Sequence, residues 1–241
     1  MISIVMPVYK LGKKVRYSIK AVELVMTKFF NKELFEVIVV DDGSPDDTYL
    51  NALSEAKHYD NVIVMRLPRN FGKAVALFAG FYRSRGKYIV FFDGDLDIDP
   101  RQILLLLATL HKSNVEIVIT SKWHPKSKII ATPIRKFLSK AFNMLERALL
   151  GINLRDTQTG AKAFKKCVLE ELAKIIIVKR YAFDAELLAY AHRLGYEITE
   201  APAVWCIKLT SKFRFREILQ MFLDLLAIRY RLSRIKPKVK K

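Results

Sequence analysis

The sequence predicts an α/β fold: a mostly parallel sheet with helices on both faces, followed by a C-terminal amphipathic helix. Three observations carry this reading. Apolar runs of four to six residues alternate with helix-length segments through the first half, and two of those runs end in clustered aspartates. About half of the 241 residues are apolar, enough to bury a domain-sized core and to exclude a disordered chain. Continuous apolar runs mark strands covered on both faces. In sheets of that kind ligands bind beyond the carboxyl ends of the strands.

The elements follow in order. Ser3–Pro7 is a short strand, Lys14–Phe30 a helix, Phe35–Val40 (FEVIVV) a second strand, and Asp47–Tyr59 a helix with Asp46 or Asp47 as its N-cap. Val62–Leu67, Tyr88–Phe92 (YIVFF) and Glu116–Thr120 read as strands. Helices over Gly72–Ser84 and Pro100–Ser113 separate them, the latter with proline in its first turn. The second half is less regular. Over Ile134–Leu149, a helical period puts Ile134, Phe137, Leu138, Ala141, Leu145 and Leu149 on one face. Thr157–Phe164 is a loop entering a short strand, Cys167–Ile177 and Phe183–Leu194 are helices, and Glu197–Pro202 is a strand. Phe213–Tyr230 is the final helix, with Glu217, Gln220, Asp224 and Arg231 as its polar stripe, and a basic tail follows. The division expected is a domain over 1–212 and an amphipathic helix with basic tail over 213–241.

The formal charge of +18 is uneven. Lys208–Lys241 holds 11 basic and 2 acidic residues, and Lys122–Leu150 holds 7 and 1, so these stretches carry most of it. The inference is a polyanion partner (nucleic acid, a phosphorylated ligand or an anionic membrane), set against a merely solvated basic face. A transmembrane span is excluded, since clean apolar runs such as Ile103–Ala108 are six residues long against the ~20 a bilayer requires. The opening MISIVMPVYK reads as a buried strand and not as a signal peptide. Cys167 and Cys206 show no metal-ligand or redox spacing and are expected to be small buried thiols of an intracellular protein.

The sharpest chemical feature is Asp93-Gly94-Asp95-Leu96-Asp97-Ile98-Asp99, four carboxylates at alternating positions after a buried strand. Such a cluster needs a counter-charge, and Mg²⁺ or Mn²⁺ held by Asp93, Asp95 and Asp97 together with phosphate oxygens supplies one. Asp99 has a simpler use as the cap of the helix at Pro100. Asp41-Asp42-Gly43-Ser44-Pro45-Asp46 is strong turn chemistry that also presents a carboxylate to a base or ribose. Arg69-Asn70-Phe71-Gly72-Lys73 opens a helix, where Gly72 permits close approach and Lys73 reaches a phosphate. His58, His111, His124 and His192 are scattered, and no hydrolase motif is present.

Together IVMPVYK, VIVVDDGSPDDT, RNFGKAVALFAGF and FFDGDLDIDP resemble the GT-A-fold (Rossmann-like) glycosyltransferases of family 2. The second half resembles the polyprenyl-phosphate branch of that family, which includes the dolichyl-phosphate mannose and glucose synthases. The carrying segments are TPIRKFLSKAFN, DTQTGAKAF, FDAELL and the W…SK close at Trp205 and Ser211-Lys212. Ala161 stands where the branch has an aromatic residue, and Lys122 where it often has arginine. The resemblance implies an inverting, metal-dependent transfer of a hexose from UDP-glucose or GDP-mannose to dolichyl or polyprenyl phosphate, supplying lipid-linked sugar for glycosylation. Pro7, Tyr9, Asp41, Asp42, Gly72, Lys73, Asp93 and Gly94 are then expected on the nucleotide sugar. Asp95, Lys122, Arg135 and Ser139 are expected at the chemistry, with Gln158, Thr159, Asp184, Trp205 and Lys212 on the acceptor side. The protein is expected at the cytoplasmic face of a membrane, held peripherally by its basic, apolar helices. Two rivals are weighed: a sugar-hydroxyl acceptor with Asp184 or Asp156 as base, and a nucleic-acid-binding protein. The acidic strand ends and the lack of any RNA- or DNA-binding signature speak against the second.

Overall fold

The computed structural model describes residues 1–130, 132–178, 182–204, 207–208 and 215–235, without the side chains of 129, 130, 134, 135, 138, 207, 208 and 215–218. The strands are β1 (Ile2–Val8), β2 (Phe35–Asp41), β3 (Val62–Arg66), β4 (Tyr88–Phe92), β5 (Ile117–Ser121), β6 (Ile129–Ile130), β7 (Ala161–Lys165), β8 (Ile198–Pro202) and β9 (Ile207–Lys208). The helices are α1 (Lys14–Met26), α2 (Thr48–Ala56), α3 (Lys73–Arg83), α4 (Arg101–Lys112), α5 (Pro133–Leu150), α6 (Lys166–Leu172), α7 (Phe183–Arg193) and α8 (Phe215–Leu232).

Seven strands form one sheet in the order β3-β2-β1-β4-β7-β5-β8, and β7 runs against its neighbours while the rest are parallel. Alternate residues of each strand feed two cores. Val5, Ile38, Val40 and Phe91 pack with α3, α6, α7 and α8 on one face. Ile4, Met6, Val37, Val39 and Val90 pack with α1, α2 and α4 on the other. This double burial is why the strands read as unbroken apolar runs.

The direction of β7 follows from its connection. The chain leaves β5 at its carboxyl end, makes the excursion through α5, and returns to that same end, so the next strand runs back down the sheet. Phe92 therefore pairs with Ala161, and Asp93 N–H donates to the Gly160 carbonyl at 2.8 Å. The loop at 156–160 is thereby delivered to the edge where β4 ends in Asp93.

Several expectations are corrected. Helix α1 stops at Met26, where the amides of Phe29 and Phe30 both turn back to the Met26 carbonyl. Helix α6 stops at Leu172 in the same way, with Ile175 and Ile176 returning to its carbonyl. Cys167 is exposed, because Val168, Leu169 and Leu172 take the buried face of that short helix. Cys206 lies outside the described residues. On α5 the stripe divides where its side chains are described: Phe137 is 71% exposed and Ala141 and Leu145 are exposed, Leu149 packs partly buried against the core, and Asn143, Glu146 and Leu150 are buried. Helix α8 buries Met221, Leu225, Ile228 and Leu232 and exposes Leu219, Leu223, Leu226 and Tyr230. Arg231 of α8 donates to the fully buried Glu186 of α7 at 2.7 Å, and Glu186 also accepts the amides of Ile177 and Val178. Among the described residues no helix is long and apolar enough to cross a membrane.

Candidate active site

The chain runs from β1 to β2 and β3 on one side, then crosses to β4 on the other. The strand ends separate at this point, and a cleft of about 580 Å³ opens there. Pro7, Val8 and Tyr9 leave β1 along one wall, and Gly94 and Asp95 leave β4 beside them. The start of α3 contributes Asn70, Gly72 and Lys73, and the second half contributes Gln158, Asp184 and Met221.

The turn after β2 builds the rim. Asp42 accepts the amides of Phe71 and Gly72 and the Asn70 side-chain amide, all at 2.8–2.9 Å. It thus ties the start of α3 to β2 while still lining the cleft. Asp41 points inward, paired with Arg66 at 3.3 Å and accepting the Ser44 amide. Gly43 has φ +66°, and a Cβ there would lie 2.3 Å from the Arg69 backbone, so only glycine fits. Asp46 accepts the Thr48 amide and hydroxyl. The Thr48 oxygen in turn accepts the amides of Leu11 and Gly12 at 2.8 Å, which fixes the loop that carries Tyr9.

Deeper in the cleft, two carboxylates alternate with two ammonium groups. Lys73 Nζ lies 2.8 Å from Asp93 and 3.5 Å from Asp184. Lys162, almost fully buried, donates to Asp184 at 2.8 Å and to the Thr159 carbonyl. Burial pushes the Asp184 carboxyl up, but Lys162 and then Lys73 outweigh it, so the group sits below the usual carboxylate range. Burial dominates at Asp93 and raises it despite Lys73, and the charge of Asp95 adds to the rise. Burial lowers Lys162. At Lys73 the charges of Asp184 and Asp93 overcome burial and hold the ammonium above its ordinary value. Gly160 makes this arrangement possible, since a Cβ there would meet the Asp93 carboxylate at 2.5 Å.

The loop after β4 is held under tension. Leu96 has φ +60°, a left-handed conformation uncommon for a branched side chain. The Ser18 hydroxyl donates to the Gly94 carbonyl at 2.5 Å, and the Asp97 amide to Asp95 at 3.0 Å. Asp99 accepts the Arg101 amide at the start of α4 and pairs with its guanidinium, which fits the capping role expected of it.

Of the remaining candidates, Lys122, Ser139, Thr159 and Asp97 stand outside the lining of the cleft. The Lys122 ammonium contacts Asp156 at 3.3 Å and donates to the Gln158 carbonyl at 2.7 Å, and its amide donates to Asp156 at 2.8 Å. Glu200 of β8 accepts the amides of Arg155 and Asp156. Ser139 is half-buried on α5, and Arg135 stands one turn earlier on that helix with its side chain outside the described residues. Trp205 and Lys212 also lie outside the described residues. Thr159 is buried behind Gln158, and Asp97 is half-buried on the loop beyond Asp95.

Comparison with known proteins gives the family and the fold. The glycosyl transferase family 2 profile matches residues 3–173. The chain belongs to glycosyltransferase family 2. It is 34% identical over 202 residues to a dolichyl-phosphate beta-glucosyltransferase of Trichomonas vaginalis, covering 80% of this chain and 61% of that protein. It is 29% identical over 239 residues to Glycosyltransferase AglD of Haloferax volcanii, covering 99% of this chain and 38% of that protein. The chain thus spans about three fifths or less of these relatives. Its fold is similar to that of glucosyl-3-phosphoglycerate synthase from Mycobacterium tuberculosis, solved with Mn²⁺, uridine diphosphate and phosphoglyceric acid (TM-score 0.72, 21% identity, 99% of this chain and 80% of that one). The same enzyme has been solved with Mg²⁺ and uridine diphosphate.

Within this family 2 chain the cleft gathers Pro7, Tyr9, Asp42, Gly72, Lys73, Asp93, Gly94, Asp95, Gln158 and Asp184 from positions far apart in sequence. Asn70, Lys162, Glu146 and Met221 were missed. Lys162 carried a signal, because a lysine between the apolar residues of a strand must find a buried partner. Among the described residues no three acidic, histidine or cysteine side chains form a ready metal cage. The donor chemistry nevertheless fits a hard divalent cation. Two carboxylates, Asp93 and Asp95, face a cleft wide enough for a diphosphate, and Mg²⁺ commonly takes one or two carboxylates with phosphate oxygens completing its shell.

Proposed function

We propose that this family 2 chain is an inverting hexosyltransferase that moves glucose from UDP-glucose to the phosphate of dolichol or another polyprenol, at a membrane surface. The observation that carries the reading is the junction of cleft and surface on α8. Met221 lines the cleft, while Leu219, Leu223 and Leu226 on the same helix stand exposed beside it. Helix α5 adds exposed Phe137 and Met144, with Lys136 and Lys140 nearby. An apolar strip flanked by basic residues suits a membrane interface, and it continues into the cleft where a lipid phosphate would enter. The relatives named as dolichyl-phosphate beta-glucosyltransferases favour glucose over mannose as the sugar transferred.

In this mechanism Pro7, Tyr9 and Asp42 border the nucleoside, and Asp93 and Asp95 would hold Mg²⁺ or Mn²⁺, whose chemistry when bound would be electrostatic stabilisation of a diphosphate leaving group. Lys73, already an ammonium within the acidic row, stabilises the same leaving group. An oxygen of the acceptor phosphate attacks the anomeric carbon as its bond to the diphosphate oxygen breaks, which gives a β-linked product. The nucleophile is anionic at neutral pH, so no general base is required. The sugar-hydroxyl rival needs one, and the carboxylates available to it are committed: Asp184 to Lys162 and Lys73, Asp156 to Lys122. Arg135 and Ser139 on α5 are assigned to the acceptor phosphate, and Trp205 and Lys212 to the acceptor side. On this reading the protein acts peripherally at the cytoplasmic face of the membrane.

The test is transfer of radiolabelled sugar from UDP-glucose and, separately, GDP-mannose to dolichyl phosphate with Mg²⁺ or Mn²⁺. An organic-extractable, mild-acid-labile product from UDP-glucose alone supports the reading. Metal-dependent hydrolysis without lipid product overturns the acceptor assignment.

A further inference from the structure

Helix α5 buries a carboxylate. Glu146 is 1% exposed, two turns after Ser139 on the same stripe, yet its helix turns several apolar side chains outward. Glu146 Oε1 accepts the Gln158 side-chain N–H at 2.8 Å, and Oε2 accepts the Thr157 hydroxyl. Gln158 also lines the cleft, and its backbone carbonyl is held by Lys122 at 2.7 Å.

An ionised carboxylate can only accept. The Gln158 amide must therefore turn its nitrogen toward α5, which leaves the amide oxygen as the group available to a ligand. That oxygen is itself only an acceptor. It is repelled by phosphate oxygens and suits a hydroxyl donor. Of the substrates proposed above, the nucleotide sugar brings the hydroxyls. We infer that Glu146 is a positioning residue that orients the Gln158 amide, so that its oxygen accepts a hydrogen bond from a hydroxyl of the donor hexose. This rests on the hexosyltransfer reading and moves Gln158 from the acceptor side to the donor sugar. It also makes α5, the helix carrying Ser139, part of the device that recognises the donor.

Burial raises the Glu146 carboxyl to about 7, the charge of Asp156 adds to the rise, and Thr157, Gln158 and Lys122 act against it. Below that pH Glu146 becomes a donor through one oxygen and no longer dictates the Gln158 orientation. The fixed amide is therefore a property of the ionised state, present above about pH 7 and lost as the pH falls through it.

The experiment measures the affinity of the whole chain for UDP-glucose and for UDP, each with Mn²⁺, by titration calorimetry between pH 6 and 8. UDP-glucose has no proton to lose in that range, so a pH dependence in its binding belongs to the protein. For wild type, affinity for UDP-glucose is expected to fall toward pH 6. Glu146→Gln and Gln158→Ala are expected to weaken UDP-glucose about tenfold at pH 8, to leave UDP within about twofold, and to flatten the pH profile. If Glu146→Gln does not fold, Gln158→Ala and the wild-type profile carry the same test. Equal losses for UDP and UDP-glucose, or no loss for either, overturn the inference while leaving the transferase reading intact. Failure of the wild type to bind any nucleotide sugar overturns both.

Discussion

The two halves of this molecule solve the same problem in different ways. Up to β5 the rim of the cleft is built mostly within neighbouring motifs, although Lys73 also reaches Asp184 and the Gly94 carbonyl accepts the Ser18 hydroxyl. Asp42 ties to Asn70–Gly72, and Asp46 to Thr48. Beyond β5 the site is assembled at long range. Lys162 on β7 meets Asp184 on α7, Glu146 on α5 meets Gln158, and Arg231 on α8 meets Glu186. The first half is an acidic platform made by strand ends, assigned to the donor in the proposed mechanism. The second half is a wall of interlocked charges that places an exposed apolar strip beside it. The lesson is that the shape of the cleft depends on buried ion pairs formed by residues far in sequence from the acidic motif, brought against it through Lys73.

The largest effect is expected from the acidic platform. Asp95→Ala should lower kcat/KM for transfer by about 10²–10³-fold or more while the thermal midpoint stays near wild type, since Asp95 is exposed. Retained transfer would remove Asp95 from the chemistry. Next is the contact between the halves. Gly160→Ala pushes a methyl group into Asp93, and roughly tenfold or greater loss of metal-dependent nucleotide binding is expected, read by calorimetry. A silent substitution would mean that the position of Asp93 is not critical.

The strip on α5 and α8 gives a smaller, more selective effect. Phe137→Glu with Leu223→Glu should reduce sedimentation with anionic vesicles severalfold and raise the KM for lipid phosphate, with UDP binding unchanged. Unchanged vesicle binding would make the strip incidental.

The last effect falls on stability and leaves activity unchanged, which isolates the platform from the chemistry. Glu23 is buried on α1, with Oε2 unpartnered beside an unpartnered Asn61 Oδ1, and burial raises its carboxyl to about 6. The folded state therefore binds its proton more tightly than the unfolded chain, whose value is near 4.5. The sign follows: stability falls as pH rises from about 4.5 to 6 and stays lower above it. Glu23→Gln should remove that slope and add up to about 2 kcal/mol at pH 7, because the new amide can donate to Asn61. Urea melts at pH 4.5 and pH 7 check this, and an unchanged slope would contradict it.

Much of the first half was legible because its logic is local. FEVIVV and YIVFF read as strands because alternate residues enter two cores, and the aspartates after them mark strand ends. What was not legible depended on distance or direction. Asp41 and Asp42 look alike in sequence, but one is fully buried beneath Arg66 and the other faces the cleft. The reversed direction of β7 followed from where α5 returned the chain. The β6–β9 pairing joins two-residue strands far apart in sequence. Helix α5 has a clear apolar stripe, and periodicity alone could not reveal that Phe137, Ala141 and Leu145 face outward while Glu146 is buried.

The most direct test of this division of labour is a two-substrate kinetic matrix for wild type, Asp95→Asn and the Phe137→Glu/Leu223→Glu pair, using UDP-glucose and dolichyl phosphate in liposomes. The account predicts that Asp95→Asn loses turnover and donor affinity, while the surface pair changes only the KM for the lipid. If both variants shift the same constants, or wild type transfers no glucose to the lipid, the account is contradicted.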